Sequence, residues 1–184
     1  EYMPSVSRKY FFQIVSGLFF SSFVFVCRKI DKKNFLYFSE REQEIVSCFS
    51  ETILPNLEDN MPTIAKAEVI RRLDEEFSFV SEDIQEEFHN AIFILEYLPF
   101  FYGYFSKFQK LNQTDRFALL MLCNDTNSDI IRAVIGNLKL VTFLAYYGHR
   151  SSWEQIGYDG PFGDPPEKWS ESRIYYQEML RNQK

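Results

Sequence analysis

The sequence holds little of what chemistry at neutral pH usually draws on. Its 184 residues include two histidines, His89 and His149, and three cysteines, Cys27, Cys48 and Cys123, none in a C-x-x-C pair. That excludes the common zinc modules, C-x-x-C-H haem attachment and a disulfide-dense scaffold. No P-loop, G-x-S-x-G or H-E-x-x-H is present. Gly157, Gly160 and Gly163 stand at triplet spacing, but no strand precedes them and Pro161 lacks an amide proton, so they form no phosphate cradle. Seven glycines and seven prolines exclude a collagen-like or linker-like chain. Positive charge is also short: 20 Lys and Arg against 26 Asp and Glu, a net −6. A general nucleic-acid binder needs a basic face to displace counterions, so nucleic acid is not an expected partner. With so few bases and nucleophiles, we expect no catalytic residue, no metal and no cofactor on this chain.

What the chain does hold is aromatic carbon, 18% of residues from 20 Phe, 11 Tyr and 2 Trp, which is ample for a packed core. Charge is distributed unevenly. Residues 1–33 carry a net +4, residues 39–96 a net −11 from 15 acids and four bases, and residues 97–184 a net +1. The acidic stretch is expected to be a solvated helical surface, or a steering face for a basic partner. Between Lys9 and Arg28 lie 18 residues without formal charge, YFFQIVSGLFFSSFVFVC. As a helix this run would span about 27 Å, close to a membrane's hydrocarbon core. Residues 1–33 therefore read as an export signal or a membrane anchor. Ser7-Arg8-Lys9-Tyr10-Phe11-Phe12 resembles a twin-arginine export signal with Lys9 in place of the second Arg, which makes Arg8, Lys9 and Phe11 its recognition residues. No A-x-A cleavage pattern follows, and a plain signal anchor is the other reading.

From residue 34 to 148 the periodicity is helical, and the expected fold class is an all-α domain of about five helices. Ser39-Glu40-Arg41-Glu42 matches a capping box, followed by apolar residues at helical spacing until Pro55. Pro62-Thr63 is expected to open a second helix, with Ala65, Val69, Ile70, Leu73 and Phe77 on its apolar side and Lys66, Arg71, Asp74 and Glu75 on its polar side. Ser81 starts a third that runs to Pro99, Asn112 or Thr114 caps a fourth around Phe117 to Cys123, and a fifth runs from Ser128 to Tyr147 before Gly148.

Residues 149–184 change character. Trp153, Tyr158, Trp169 and a run of glycines and prolines predict an irregular, aromatic-rich tail held by packing. Its rings are expected to insert into the helical body or into another chain. Glu86 and His89 form an E-x-x-H pair, which di-iron bundles use in duplicate; there is no second copy, and His89 reads as a surface or half-buried residue beside Phe88. The three cysteines sit in apolar runs and read as packing residues, with pairing open in an oxidising compartment.

The run from Tyr147 through His149, Trp153, Gly157, Tyr158 and Gly160 to Pro161 resembles the closing signature of the gluconate 2-dehydrogenase subunit 3 family. The leader and the Ile53-Leu54-Pro55 step are also similar, although Asn60-Met61-Pro62 stands where that family has a Gly-rich acidic stretch. The resemblance implies a non-catalytic small, or gamma, subunit of a periplasmic, membrane-associated FAD-dependent dehydrogenase. FAD would lie on a large subunit of the glucose–methanol–choline oxidoreductase type, with haem c on a third, cytochrome subunit in some assemblies. The small subunit would support folding and export of the flavoprotein. Tyr147, His149, Trp153, Gly157, Tyr158, Gly160, Pro161 and Trp169 would form the partner interface, and residues 10–27 would meet the inner membrane. The alternative expectation is a stand-alone, membrane-anchored helical scaffold.

Overall fold

A computed structural model describes residues 35–54, 61–160 and 169–182. The leader, with Arg8, Lys9 and Phe11, lies outside the described residues, as does Pro161. Within them the protein is all-helical. In chain order the helices are α1 (Glu40–Ile53), α2 (Val69–Phe77), α3 (Glu82–Phe101), α4 (Gln113–Asn124), α5 (Asp129–Tyr147), the one-turn α6 (Arg150–Trp153) and α7 (Glu171–Asn182). Short 3₁₀ turns at Phe108–Lys110 and Glu154–Ile156 join them.

The local signals act as their chemistry requires. Ser39 accepts from the Glu42 amide while the Glu42 carboxylate accepts from the Ser39 amide, closing both halves of the capping box at α1. Asn112 and Ser128 cap α4 and α5 by the same side-chain acceptance. Leu54 ends α1 in an extended conformation, which the steric demand of the following proline favours. Pro99 lies inside the last turn of α3, so the helix continues two residues beyond the expected stop.

α2, α3 and α4 each pack against both α1 and α5. The core between them contains Ile45 and Phe49 from α1, Leu73 from α2, Ile92 and Leu95 from α3, Leu119 from α4 and Leu138 from α5. α5, with 19 residues, is long and apolar enough to cross a membrane by length and composition. Here it serves as a core helix on one side, burying Ile135, Leu138 and Tyr146, while Leu140 and Leu144 on the other side are exposed.

Three expectations are corrected. First, α2 begins at Val69 rather than at Pro62-Thr63, because Glu68 adopts a left-handed conformation (φ 50°) that interrupts the turn starting at Thr63. The interruption lets Ala67 and Val69 both point into the core, which residues two apart on one continuous helix face cannot do. Pro62 is fixed at this step by the Tyr146 hydroxyl, which donates to its carbonyl at 2.7 Å. Second, the acids assigned to the solvated side of α2 are buried: Asp74 is 0% exposed and Glu75 9%. Third, the tail is not irregular throughout. Between Trp169 and Lys184 there is neither glycine nor proline, and this stretch forms α7 on α2.

The second and third corrections have one cause. The Asp74 carboxylate accepts from the backbone amides of Leu36, Tyr37 and Phe38 at 2.7–2.8 Å, and from the Tyr176 hydroxyl of α7 at 2.8 Å. Four donors use up the acceptor capacity of the two oxygens. Beside it Arg173 of α7 pairs with Glu75 at 3.0 Å. Burial, followed by the charge of Asp74, pushes the Tyr176 phenol well above its usual range.

Asp74→Asn, which keeps the shape but turns an acceptor into a donor facing donors, is expected to cost on the order of 3 kcal/mol in urea unfolding at neutral pH. Tyr176 also sets an alkaline limit. Its folded pKa exceeds the unfolded value, so the stabilisation is complete below about pH 10 and falls as pH rises further. Unfolding midpoints measured from neutral to alkaline pH should therefore drop more steeply for the wild type than for Tyr176→Phe.

Candidate functional site

Two places on this fold bring polar or aromatic chemistry to the surface. The first is a cleft of about 310 Å³ between α1 and α3, lined by Ser39, Arg41, Glu42, His89, Phe93 and Glu96 among others. His89 does not act with Glu86. It stacks on Tyr37 (4.3 Å between centroids) and meets the Glu42 carboxylate across the helix pair. Burial, reinforced by the charges of Glu42 and Asp74, raises the Tyr37 phenol far above its usual range. Glu96 is 1% exposed and receives Arg41, the Lys107 ammonium at 3.1 Å and the Gln109 amide at 3.0 Å. A buried carboxylate with two cationic partners is a structural junction: it joins α1, α3 and the 3₁₀ turn at Phe108–Lys110.

The same two cations lie over the Tyr97 ring, at 5.8 Å for Arg41 and 5.0 Å for Lys107. Burial alone would raise the Tyr97 phenol; hydrogen bonding and charge from Arg41 and Lys107 outweigh it and hold the phenol below its usual range. Since Glu42 caps α1 and Glu96 is engaged on both oxygens, the carboxylates of this cleft hold helices together. Among the described residues, no group of three or more His, Cys, Asp or Glu is placed to hold a metal ion. Cys48 is half-buried, Cys123 is buried, both are free thiols, and burial raises both thiol pKa values. Cys27 lies outside the described residues.

The second place is the segment after α5, where the sequence put a partner interface. Tyr147 is half-buried and stands edge-on to Tyr146 at 5.0 Å. His149 caps α6, its Nδ1 accepting from the Ser151 amide at 3.2 Å. Burial and then the Arg72 charge lower its pKa. Trp153 ends α6 half-buried, and the chain then folds back on its indole. The Tyr158 amide donates to the Trp153 carbonyl at 2.9 Å and the Tyr158 ring stands edge-on to the indole at 5.1 Å. Gly157 turns the chain through a left-handed conformation, and the Arg150 guanidinium lies 5.8 Å from the indole centroid.

Gly160 closes this knot. Its φ is +114°, and a Cβ there would sit 3.3 Å from the indole ring. Only glycine combines that backbone with that approach. The spacing Trp-x₃-Gly-Tyr-x-Gly is thus accounted for locally: it lays one aromatic edge and a side-chain-free backbone against a single indole. The knot leaves apolar surface outside, with Ile156 and Tyr158 exposed. Trp169 is 62% exposed and does not join it; the Arg173 guanidinium lies 5.7 Å from its ring.

The sequence pointed to the knot, but it missed Glu96, Tyr97 and the Glu42–His89 pair. A lone acid in an apolar helix, Ile94-Leu95-Glu96-Tyr97-Leu98, was the available signal.

Gly160→Ala is expected to loosen the knot, seen as a weaker near-ultraviolet indole signal with unchanged far-ultraviolet helicity. Arg41→Ala should raise the Tyr97 titration midpoint, because burial then acts against one cation instead of two; phenol absorbance against pH checks it. No family model, curated protein or solved structure matches the chain.

Proposed function

We propose that this chain is a non-catalytic small subunit that binds a partner protein through the knot at Trp153–Gly160, with the exposed Trp169 as a further contact. In its specific form, it is the gamma-type subunit of a periplasmic, membrane-associated FAD-dependent dehydrogenase. The flavin sits on a large subunit of the glucose–methanol–choline oxidoreductase type, and a haem c subunit is a further candidate member.

The observation that carries the reading is the knot. Its glycines and indole build a preformed aromatic ledge at the edge of the helical domain, and Tyr158, Ile156 and Trp169 remain outside the core. Preformed aromatic anchors bind with little ordering cost, and Trp and Tyr are the side chains that most often dominate interface energetics. The specific form rests on the resemblance of Trp153, Gly157, Tyr158, Gly160 and Pro161 to the family signature. The acidic α3 start, with exposed Glu82, Asp83, Glu86 and Glu87, supplies a steering surface for a basic region of such a partner.

Purification from the native membrane should recover this chain with a flavoprotein. Trp153→Ala is expected to weaken that complex by roughly 30-fold, the loss of a hot spot of about 2 kcal/mol, with helicity unchanged. Undiminished complex in Trp153→Ala would refute the docking site. A monodisperse monomer with no co-purifying chain would instead favour the stand-alone scaffold.

A further inference from the structure

The end of α3 and the loop that follows it read Phe100-Phe101-Tyr102-Gly103-Tyr104-Phe105, and the side chains are sorted by type. Tyr102 and Tyr104 turn inward against the core. Phe100, Phe101 and Phe105 turn outward, with exposures of 47%, 78% and 99%. Transferring three phenyl rings to water while tyrosines are sheltered is the reverse of what a solvated loop would select.

The loop is also held in shape. The Tyr102 and Tyr104 amides both donate to the Pro99 carbonyl, at 3.0 and 3.1 Å, and the following Phe108 is fully buried. Gly103 makes the turn at φ +84°, with no atom within 4 Å of where a Cβ would stand, so the bend projects into open space. Its charge is equally distinct. In a chain of net −6, residues 97–114 contain no acid, and their only charges are Lys107 and Lys110. Both side chains remain partly exposed, at 40% and 62%, while their ammonium groups pair with Glu96 and Glu44.

From this geometry we infer that the Phe100–Phe105 loop is a membrane-insertion tip. Its three phenylalanines enter the boundary between headgroups and acyl chains of an anionic bilayer, and Lys107 and Lys110 face the lipid phosphates. Outward phenyl rings on a rigid turn, with lysines behind them, suit that boundary, where apolar depth and anionic surface are found together. The tip would fix how the helical domain lies on the bilayer. The inference therefore rests on the membrane association proposed above.

The test uses the full chain mixed with vesicles of phosphatidylcholine, alone or with phosphatidylglycerol, whose acyl chains are either plain or brominated. Flotation reads membrane association as a whole. Phe105→Trp reads the tip, after subtraction of the unmodified chain's signal from Trp153 and Trp169. The indole introduced at position 105 is expected to emit at shorter wavelength and to be quenched about twofold or more by brominated acyl chains, more strongly with phosphatidylglycerol present. Adding Phe101→Ser should reduce that quenching. Ile130→Trp, at a position 70% exposed on α5, is the control and should remain unquenched.

A chain that floats while the indole at position 105 stays unquenched overturns the tip and leaves the membrane association standing. Equal quenching at positions 105 and 130 overturns it too. So does an emission shift that needs a co-purified protein and no lipid. A chain that does not float overturns both readings.

Discussion

The structure depends on one buried carboxylate. Asp74 takes three successive backbone amides from the segment that leads into α1 and a hydroxyl from the last helix. Successive amides ahead of a helix have no ladder to pair with, and burying them unpaired would be costly. A single acceptor with two oxygens resolves this, and it does so from the middle of α2, which packs against both α1 and α5. The two ends of the described domain, Leu36–Phe38 and Tyr176, are thereby fastened to the same point, which lies 36 to 38 residues from one and 102 from the other. α7 buries Tyr176 fully and little else.

Glu96 repeats the device within α3. It sits in an apolar helix, and Arg41, Lys107 and Gln109 converge on it from α1 and from the 3₁₀ turn. Replacing such a junction with apolar residues can be neutral or stabilising in other proteins, so a buried ion pair of this kind fixes register more than it adds strength. Here register matters, because the same turn leads out of the Phe100–Phe105 loop. The Tyr97 ring beneath the two cations completes the support on the side of that loop.

These junctions leave a domain whose interior is settled and whose surface is not. Large apolar side chains remain exposed on α3, α4, α5 and α7, Phe101, Phe117, Leu140 and Ile174 among them. Some of them are grouped: Phe100, Phe101 and Phe105 at the end of α3 and in the loop after it, and Ile156 and Tyr158 at the knot around Trp153. The knot is built to a local rule, an indole enclosed by one ring edge and one glycine, and needs no partner to form. The loop is likewise closed by its own backbone bonds to Pro99. Both are shaped before anything binds them, which reduces the ordering cost of association.

The sequence by itself determined the helical class and the caps at Ser39 and Ser128, left Asn112 and Thr114 as alternatives at α4, and set the Trp153–Gly160 run apart from the helices before it. Caps, periodicity and turn glycines act over three to five residues, so the information is complete where it stands. Only the tertiary structure decided what became of Asp74, Glu75, Glu96 and Tyr176. A polar residue at a helix position reads as solvated until another segment covers it, and those segments arrive from as far as 102 residues away. The same distance hid α7: its helix has a weak apolar face and one buried ring, so what holds it in place is a carboxylate on α2 that no local pattern could announce.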